Sequence, residues 1–306
     1  MMEVSLEGGR VATYEVIGRG APTLMLPGGP GFASAYMRGT AELFADVFES
    51  HLIDPHGSGG SSPPPDPAAY SPEGHARFYE EVRSALGLGP VTVFGHSFGG
   101  TTALTYAALF PGSVRRCIAA GAFGMGTEHD KAEGGESAAE MEAMLGRHAS
   151  ASWYPAAKST WDAWTERILA TSDPSEAEAM MAAVLPLYTA HPDRPEVAAG
   201  LQEFARHLTA DLTALKAWEG GLYQGIDLRP LLGRIEAPTL VVAGELDPIC
   251  GPAQARPIAG AVKNSTIALI SDCGHMLTEE SPRPFKAAVV AWLEGPGRSS
   301  PDTIGE

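Results

Sequence analysis

The chain has 306 residues, 44% of them hydrophobic and 19% charged, which suits a folded globular enzyme and argues against disorder. Its formal net charge of −16, with no Lys/Arg cluster to reverse it locally, excludes nucleic acid as a natural partner. No stretch approaches the roughly 18 apolar residues of a membrane helix, and the opening "MMEVSLEGGR" has no apolar leader, so no membrane is implicated and the cytoplasm is the expected location.

In chain order, "VSLEGGRVATYEVIG" predicts an antiparallel hairpin about a Gly-Gly turn. Leu24-Met25-Leu26 is a buried-strand signal that stops at the loop Pro27–Gly31. Residues 39–48 predict a helix, "HLIDPHGSGGSS" a strand entering a glycine-rich loop, and "SPEGHARFYEEVRSALGL" a helix opened by Ser-Pro-Glu. "PVTVFGHSFGG" reads as a strand followed by a helix over Thr101–Phe110, stopped by Pro111, and "VRRCIAAGAFG" as a further strand. Strands alternating with helices predict an α/β fold: a mostly parallel central sheet with helices on both faces.

From about Gly121 to Leu228 the chain is rich in Ala, Glu, Met and Trp and shows no strand pattern, which predicts a helical cap inserted into the fold. The expected division is a core of residues 1–121 and 229–306 and a cap of 122–228. Alternation then resumes with "APTLVVAG", "GPAQARPIAG", "STIALI" and "SPRPFKAAVVAWLEG", and the tail "PGRSSPDTIGE" is expected to be loose.

Gly95-His96-Ser97-Phe98-Gly99 fits the G-x-S-x-G turn. A strand passing this sharply into a helix strains its central residue and leaves no room for side chains two positions away. The serine hydroxyl then stands at the sheet edge and helix N-terminus, where an anionic intermediate is favoured. A serine hydroxyl needs a base, and the base an orienting acid, in the chain order Ser, Asp/Glu, His. After Val241-Val242, "GELDPI" supplies Asp247, with Glu245 as the runner-up; after the last strand, "DCGHML" supplies His275. The oxyanion needs two N–H donors, one from Phe98 and one from the loop 27–31, where Gly29 leads and Gly28 follows. Cys117, Cys250 and Cys273 share no metal-ligand spacing and read as reduced thiols. No metal and no cofactor is expected, since no G-x-G-x-x-G follows the first strand and "GSGGSS" lacks a P-loop lysine.

With these segments in place the sequence resembles the α/β-hydrolase superfamily, and within it the proline iminopeptidase (prolyl aminopeptidase) family of serine peptidases. The likeness rests on "LPGGPGF", "IDPHGSGGSS", "GHSFGG", "GELDPI" and "GHM". It implies the α/β-hydrolase fold, with nucleophile, acid and base at Ser97, Asp247 and His275 and the oxyanion glycine at Gly29. Pro27 stands where that family has histidine, and His56 where it has arginine. Those relatives hold the substrate's free amine with cap glutamates, one directly after a Trp-x-x-Trp pair. Here "WDAWTERIL" places Thr165 after Trp164 and shifts the carboxylate to Glu166. The shift is about 100° around a helix. On one helix, Trp161 and Trp164 would share a face, and Asp162 and Glu166 could hold an ammonium together; Glu203 in "GLQEFARHL" is a second match.

Three functions remain open. One is an aminopeptidase-like hydrolase releasing a small N-terminal residue, proline-type, from short peptides or amides. Another is an esterase, lactonase or C–C hydrolase of apolar small molecules, with Met141, Met144, Met180 and Met181 lining an adaptable pocket. The third is a non-catalytic binding module. The expected partner is a small molecule or short peptide, and the oligomeric state is left open.

Overall fold

The computed structural model describes residues 1–295. Eight strands form one sheet, in which the third and fourth strands of the chain exchange places and the others follow chain order. β1 (Met2–Ser5) and β2 (Val11–Gly18) form the predicted antiparallel hairpin, and β2 runs antiparallel to β4 (Phe48–Ile53). From β4 onward, β3 (Ala21–Leu26), β5 (Val91–His96), β6 (Val114–Ala120), β7 (Thr239–Gly244) and β8 (Ser265–Ile270) pair in parallel. The central strands read as continuous apolar runs because helices cover both faces. At the β8 edge Ile267 is exposed, as an uncovered strand allows.

Two helix boundaries differ from expectation. The helix placed at 39–48 is the shorter α1, Arg38–Leu43. The next residues are claimed by the sheet: Arg19 and Ala21 donate N–H groups to the carbonyls of Ala45 and Val47, and Phe48 already belongs to β4. In contrast α3, Phe98–Leu109, begins three residues before the expected Thr101, directly after Ser97. Residues 98–108 of it are buried, as a helix between sheet and neighbours requires. α2, Pro72–Ala85, packs beside it, its start capped by the Ser71 hydroxyl accepting the Gly74 N–H.

Between β6 and β7 the described residues contain helices and only isolated bridges: α4 (Thr127–Ala132), α5 (Glu136–Gly146), α6 (Tyr154–Asp162), α7 (Trp164–Ala170), α8 (Pro174–Val184), α9 (Pro195–Arg206) and α10 (Leu212–Ala217). The stretch "WDAWTERIL" is therefore not one helix, since the backbone breaks at Ala163 between α6 and α7. Leu145, Ala157, Val184 and Leu187 form a small cluster of the cap's own. Other cap residues, Ile168, Met180 and Leu201 among them, join the cluster that also contains Met25 and Phe94 of the sheet. The cap is thus seated on the core rather than standing clear of it. α11 (Arg229–Leu232), α12 (Pro252–Ala261), α13 (Leu277–Glu280) and α14 (Pro282–Glu294) complete the chain. The tail expected to be loose lies outside the described residues.

Candidate active site

Ser97 follows β5 with φ 58° and ψ −127°, a conformation that costs a non-glycine residue about 1–3 kcal/mol. The flanking glycines make it possible. A Cβ on Gly95 would lie 1.9 Å from the Gly99 carbonyl oxygen, and one on Gly99 would lie 2.0 Å from that of Leu26. The Ser97 N–H donates to Ala120 of β6 at 2.8 Å, tying the turn to the next strand.

Asp247 and His275, on the loops after β7 and β8, are brought together from far along the chain. The His275 Nδ1 lies 2.8 Å from Asp247 Oδ2, and both residues are buried. A carboxylate only accepts, so Nδ1 carries the proton and, in the neutral ring, Nε2 is a bare lone pair. That Nε2 is buried and has no hydrogen-bond partner. The other Asp247 oxygen accepts N–H groups from Ile249 at 2.7 Å and Cys250 at 2.9 Å, which fixes the carboxylate. Glu245, the alternative acid, is exposed.

Ser97 and His275 line one cavity of about 410 Å³, bordered also by Gly28 and Gly29. The loop carrying these glycines is braced from below. Ser34 donates its N–H and hydroxyl to the fully buried Asp54, which also accepts from Thr13. A Cβ on Gly28 would lie 2.7 Å from Ser97 Cβ, so only glycine fits there. The Gly28 N–H, however, is donated to the Tyr36 hydroxyl. Of the two loop candidates for an oxyanion donor, Gly29 alone keeps its N–H free of a protein acceptor among the described residues. Phe98 opens α3, where the first-turn N–H groups have no carbonyl partner within the helix.

The cap walls the cavity with rings and thioethers. Trp161, Trp164, Met141 and Met181 line it as expected, whereas Met180 is buried in the core and Met144 lies off the lining. The three expected amine-binding carboxylates are elsewhere. Asp162 is 59% exposed and paired with Lys158, and with Glu166 it borders a separate open depression. Glu203 is 56% exposed and paired with Arg206 and His207. Asp162 and Glu166 stay together on that depression while Trp161 and Trp164 line the cavity, so the carboxylates and the rings face different sides of α6 and α7. The carboxylate that does reach the cavity is Glu219, which accepts from Trp164 Nε1 at 2.8 Å and Thr165 Oγ1 at 2.6 Å. Nothing in "KAWEGG" marks it, since its role depends on α10 folding back beside α7.

Glu280 was also not foreseen. Its carboxyl accepts N–H groups from Gly274 at 3.1 Å and Met276 at 3.2 Å, either side of His275, and from Ala190 of the cap at 2.7 Å. Burial pushes this group up to about 7. The His275 N–H itself donates to the Tyr188 carbonyl at 2.7 Å, so the cap directly holds the histidine loop. A carboxylate five residues beyond a Gly-His pair is the signal that would have pointed to it. The three cysteines are buried and unpaired, no described helix is long and apolar enough to cross a membrane, and no metal-ligating cluster occurs among the described residues.

Comparison with known proteins agrees with the fold. The sequence pattern of the alpha/beta hydrolase fold matches residues 22–282. A proline iminopeptidase of Lactobacillus delbrueckii subsp. lactis is 25% identical over 296 residues, covering 89% of this chain and 90% of the relative. A 1-acylglycerol-3-phosphate O-acyltransferase of Arabidopsis thaliana is 36% identical over 114 residues, which is 36% of this chain and only 27% of the relative's length. The structure of a thermophilic esterase from Thermogutta terrifontis superposes with a TM-score of 0.70 at 21% identity, covering 96% of this chain and 97% of that one, a likeness of fold.

Proposed function

The chain belongs to the alpha/beta hydrolase fold family, and from that premise we propose that it is a serine hydrolase of small, apolar carboxylic esters or lactones. The observation that carries the reading is the cavity in front of Ser97. Its cap side is mostly aromatic and aliphatic, with Glu219 its one carboxylate, and Asp162, Glu166 and Glu203 all lie outside its lining. Its size falls in the range of small-molecule sites, roughly 300–1,000 Å³.

The chemistry follows from the groups present. Ser97 Oγ attacks the acyl carbon while its proton passes to His275 Nε2, and the carbonyl π pair moves onto oxygen. The N–H groups of Gly29 and Phe98 receive that oxyanion. Asp247 keeps the imidazole in the required tautomer and stabilises its charged form. Collapse expels the alcohol, which takes the proton back from Nε2, and leaves an acyl-serine. Water then adds with the same base and donors, Ser97 is released, and ester plus water has become acid plus alcohol.

A second reading, aminopeptidase-like cleavage of a proline-type N-terminal residue, is favoured by Glu219, a carboxylate among the rings of the cavity. A relative that is similar over 89% of this chain is a proline iminopeptidase. Two substrates separate the readings: p-nitrophenyl butyrate and proline β-naphthylamide. Turnover of the ester alone, lost in Ser97→Ala, is expected; turnover of the arylamide alone transfers the conclusion to the second reading. Binding without turnover of either would make the fold a receptor.

A further inference from the structure

We propose that the Tyr36 hydroxyl is a third oxyanion donor, standing in for the Gly28 N–H, and that Tyr36 is therefore a catalytic residue. The proposal rests on the serine-hydrolase reading above. Its geometry comes from Gly28. A Cβ at that position would lie 2.7 Å from Ser97 Cβ and 3.0 Å from the Tyr36 oxygen, so nucleophile and phenol crowd the same point of the backbone. Tyr36 lines the cavity with Ser97, Gly28 and Gly29. The N–H of Gly28, the glycine packed against the serine, is spent on the Tyr36 oxygen, and the group that oxygen offers in exchange is its own O–H. A donor that is itself accepting a hydrogen bond is polarised and donates more strongly.

The free phenol has only a weak use for that proton. Its other hydrogen-bonding neighbour among the described residues is His96, whose Nδ1 is 3.4 Å away, a long contact. The His96 Nε2 lies 3.2 Å from the His275 carbonyl, which can only accept, so Nε2 carries the ring proton. Burial holds His96 far down, at about 3, so the ring is neutral and its Nδ1 is a bare acceptor. His96 thus parks the Tyr36 proton loosely until a better acceptor, a developing oxyanion, enters the cavity. Burial also pushes the phenol well above its usual range, which keeps it protonated and able to donate at any working pH. The ring is held against Phe204, with centroids 4.6 Å apart, so the hydroxyl is positioned before substrate arrives.

The test is Tyr36→Phe, which keeps the ring, assayed on the substrate that Ser97 turns over and on its thionocarbonyl analogue, whose sulfur accepts hydrogen bonds poorly. An oxyanion donor predicts a fall in kcat of about 10- to 100-fold on the oxygen substrate, KM within about threefold, and a much smaller loss on the thiono analogue. Tyr36→Leu, which fills the wall without a donor, is expected to repeat that oxygen-specific loss. Equal losses on both substrates, or kcat unchanged within about threefold, would overturn the proposal and leave Tyr36 as a wall of the cavity. Persistent turnover in Ser97→Ala would instead defeat the underlying serine-hydrolase reading, so the two failures are distinct.

Discussion

At the rim of the sheet the groups that hold the loops around Ser97 are committed, while the His275 Nε2 and the Gly29 N–H are left free. Asp247 binds His275 and two backbone N–H groups, Glu280 grips the residues on either side of that histidine, and Asp54 ties the glycine loop down. Across the cavity, the cap presents Trp161, Trp164, Met141 and Met181, and a single carboxylate. The two walls do different physical work. Bond-making needs atoms held to within a fraction of an ångström, which buried hydrogen bonds provide. Choice of an apolar substrate needs volume and shape, which soft side chains provide with little directional constraint. The rim should therefore be intolerant of small chemical changes, and the cap tolerant of many.

The largest effects should fall on the rim. Asp247→Asn retains the shape but loses the tautomer control, and kcat should drop about 10⁴-fold with KM little changed. A loss under about tenfold in steady-state assays would show that another group orients His275. Gly95→Ala drives a methyl into the Gly99 carbonyl, and the destabilisation should exceed about 4 kcal/mol by chemical denaturation. A variant as stable as the parent would contradict the strained turn.

Positioning comes next. Glu280→Gln should keep a hydrogen-bonding side chain but replace one acceptor oxygen with a donor facing N–H groups, lowering kcat by roughly tenfold while KM stays within about twofold. The opposite split, raised KM at constant kcat, would make Glu280 part of the cap's binding surface. In the cap itself, Asp162→Asn and Glu203→Gln should change either substrate's kcat/KM by less than about twofold, because both carboxylates are exposed and paired on the surface. Glu219→Gln should raise KM for an aminoacyl arylamide, if one is turned over, by about tenfold while sparing the ester. Equal responses to both substrates would leave Glu219 as a brace for Trp164.

A separate effect is the dependence of stability on pH. Burial pushes Glu279 up from 4.5 to about 8, so folding favours its neutral form. Its contribution is complete below about pH 4.5 and is lost as pH rises through about 8. Glu279→Gln, neutral throughout, should gain in Tm relative to the parent between roughly pH 5 and 8. A difference that stays constant with pH would show that the carboxyl is solvated.

The same division governs what could be read before any coordinates. Ser97, Asp247 and His275 were legible as candidates because each sits where a strand ends, and because Gly95 and Gly99 advertise a turn that only glycine permits. The cap carboxylates were not. Asp162 and Glu166 share one open depression and Trp161 and Trp164 line the cavity, and which of these two sides turns inward is set by packing against other parts of the chain, not by local spacing. Glu219 and Tyr36 matter through neighbours 55 and 8 residues away, Trp164 and Gly28, and periodicity carries no trace of such contacts. Where the backbone itself is constrained, sequence speaks; where side chains from separate helices meet, it does not.

Covalent labelling tests the central assignment most directly. The intact protein, treated with a fluorophosphonate and digested, should carry the phosphonyl group on the peptide containing Ser97, with labelling abolished by Ser97→Ala and suppressed in Asp247→Asn. Labelling at another serine that tracks loss of activity, or no labelling of an enzyme that still turns over substrate, would contradict the assignment of Ser97 as the nucleophile.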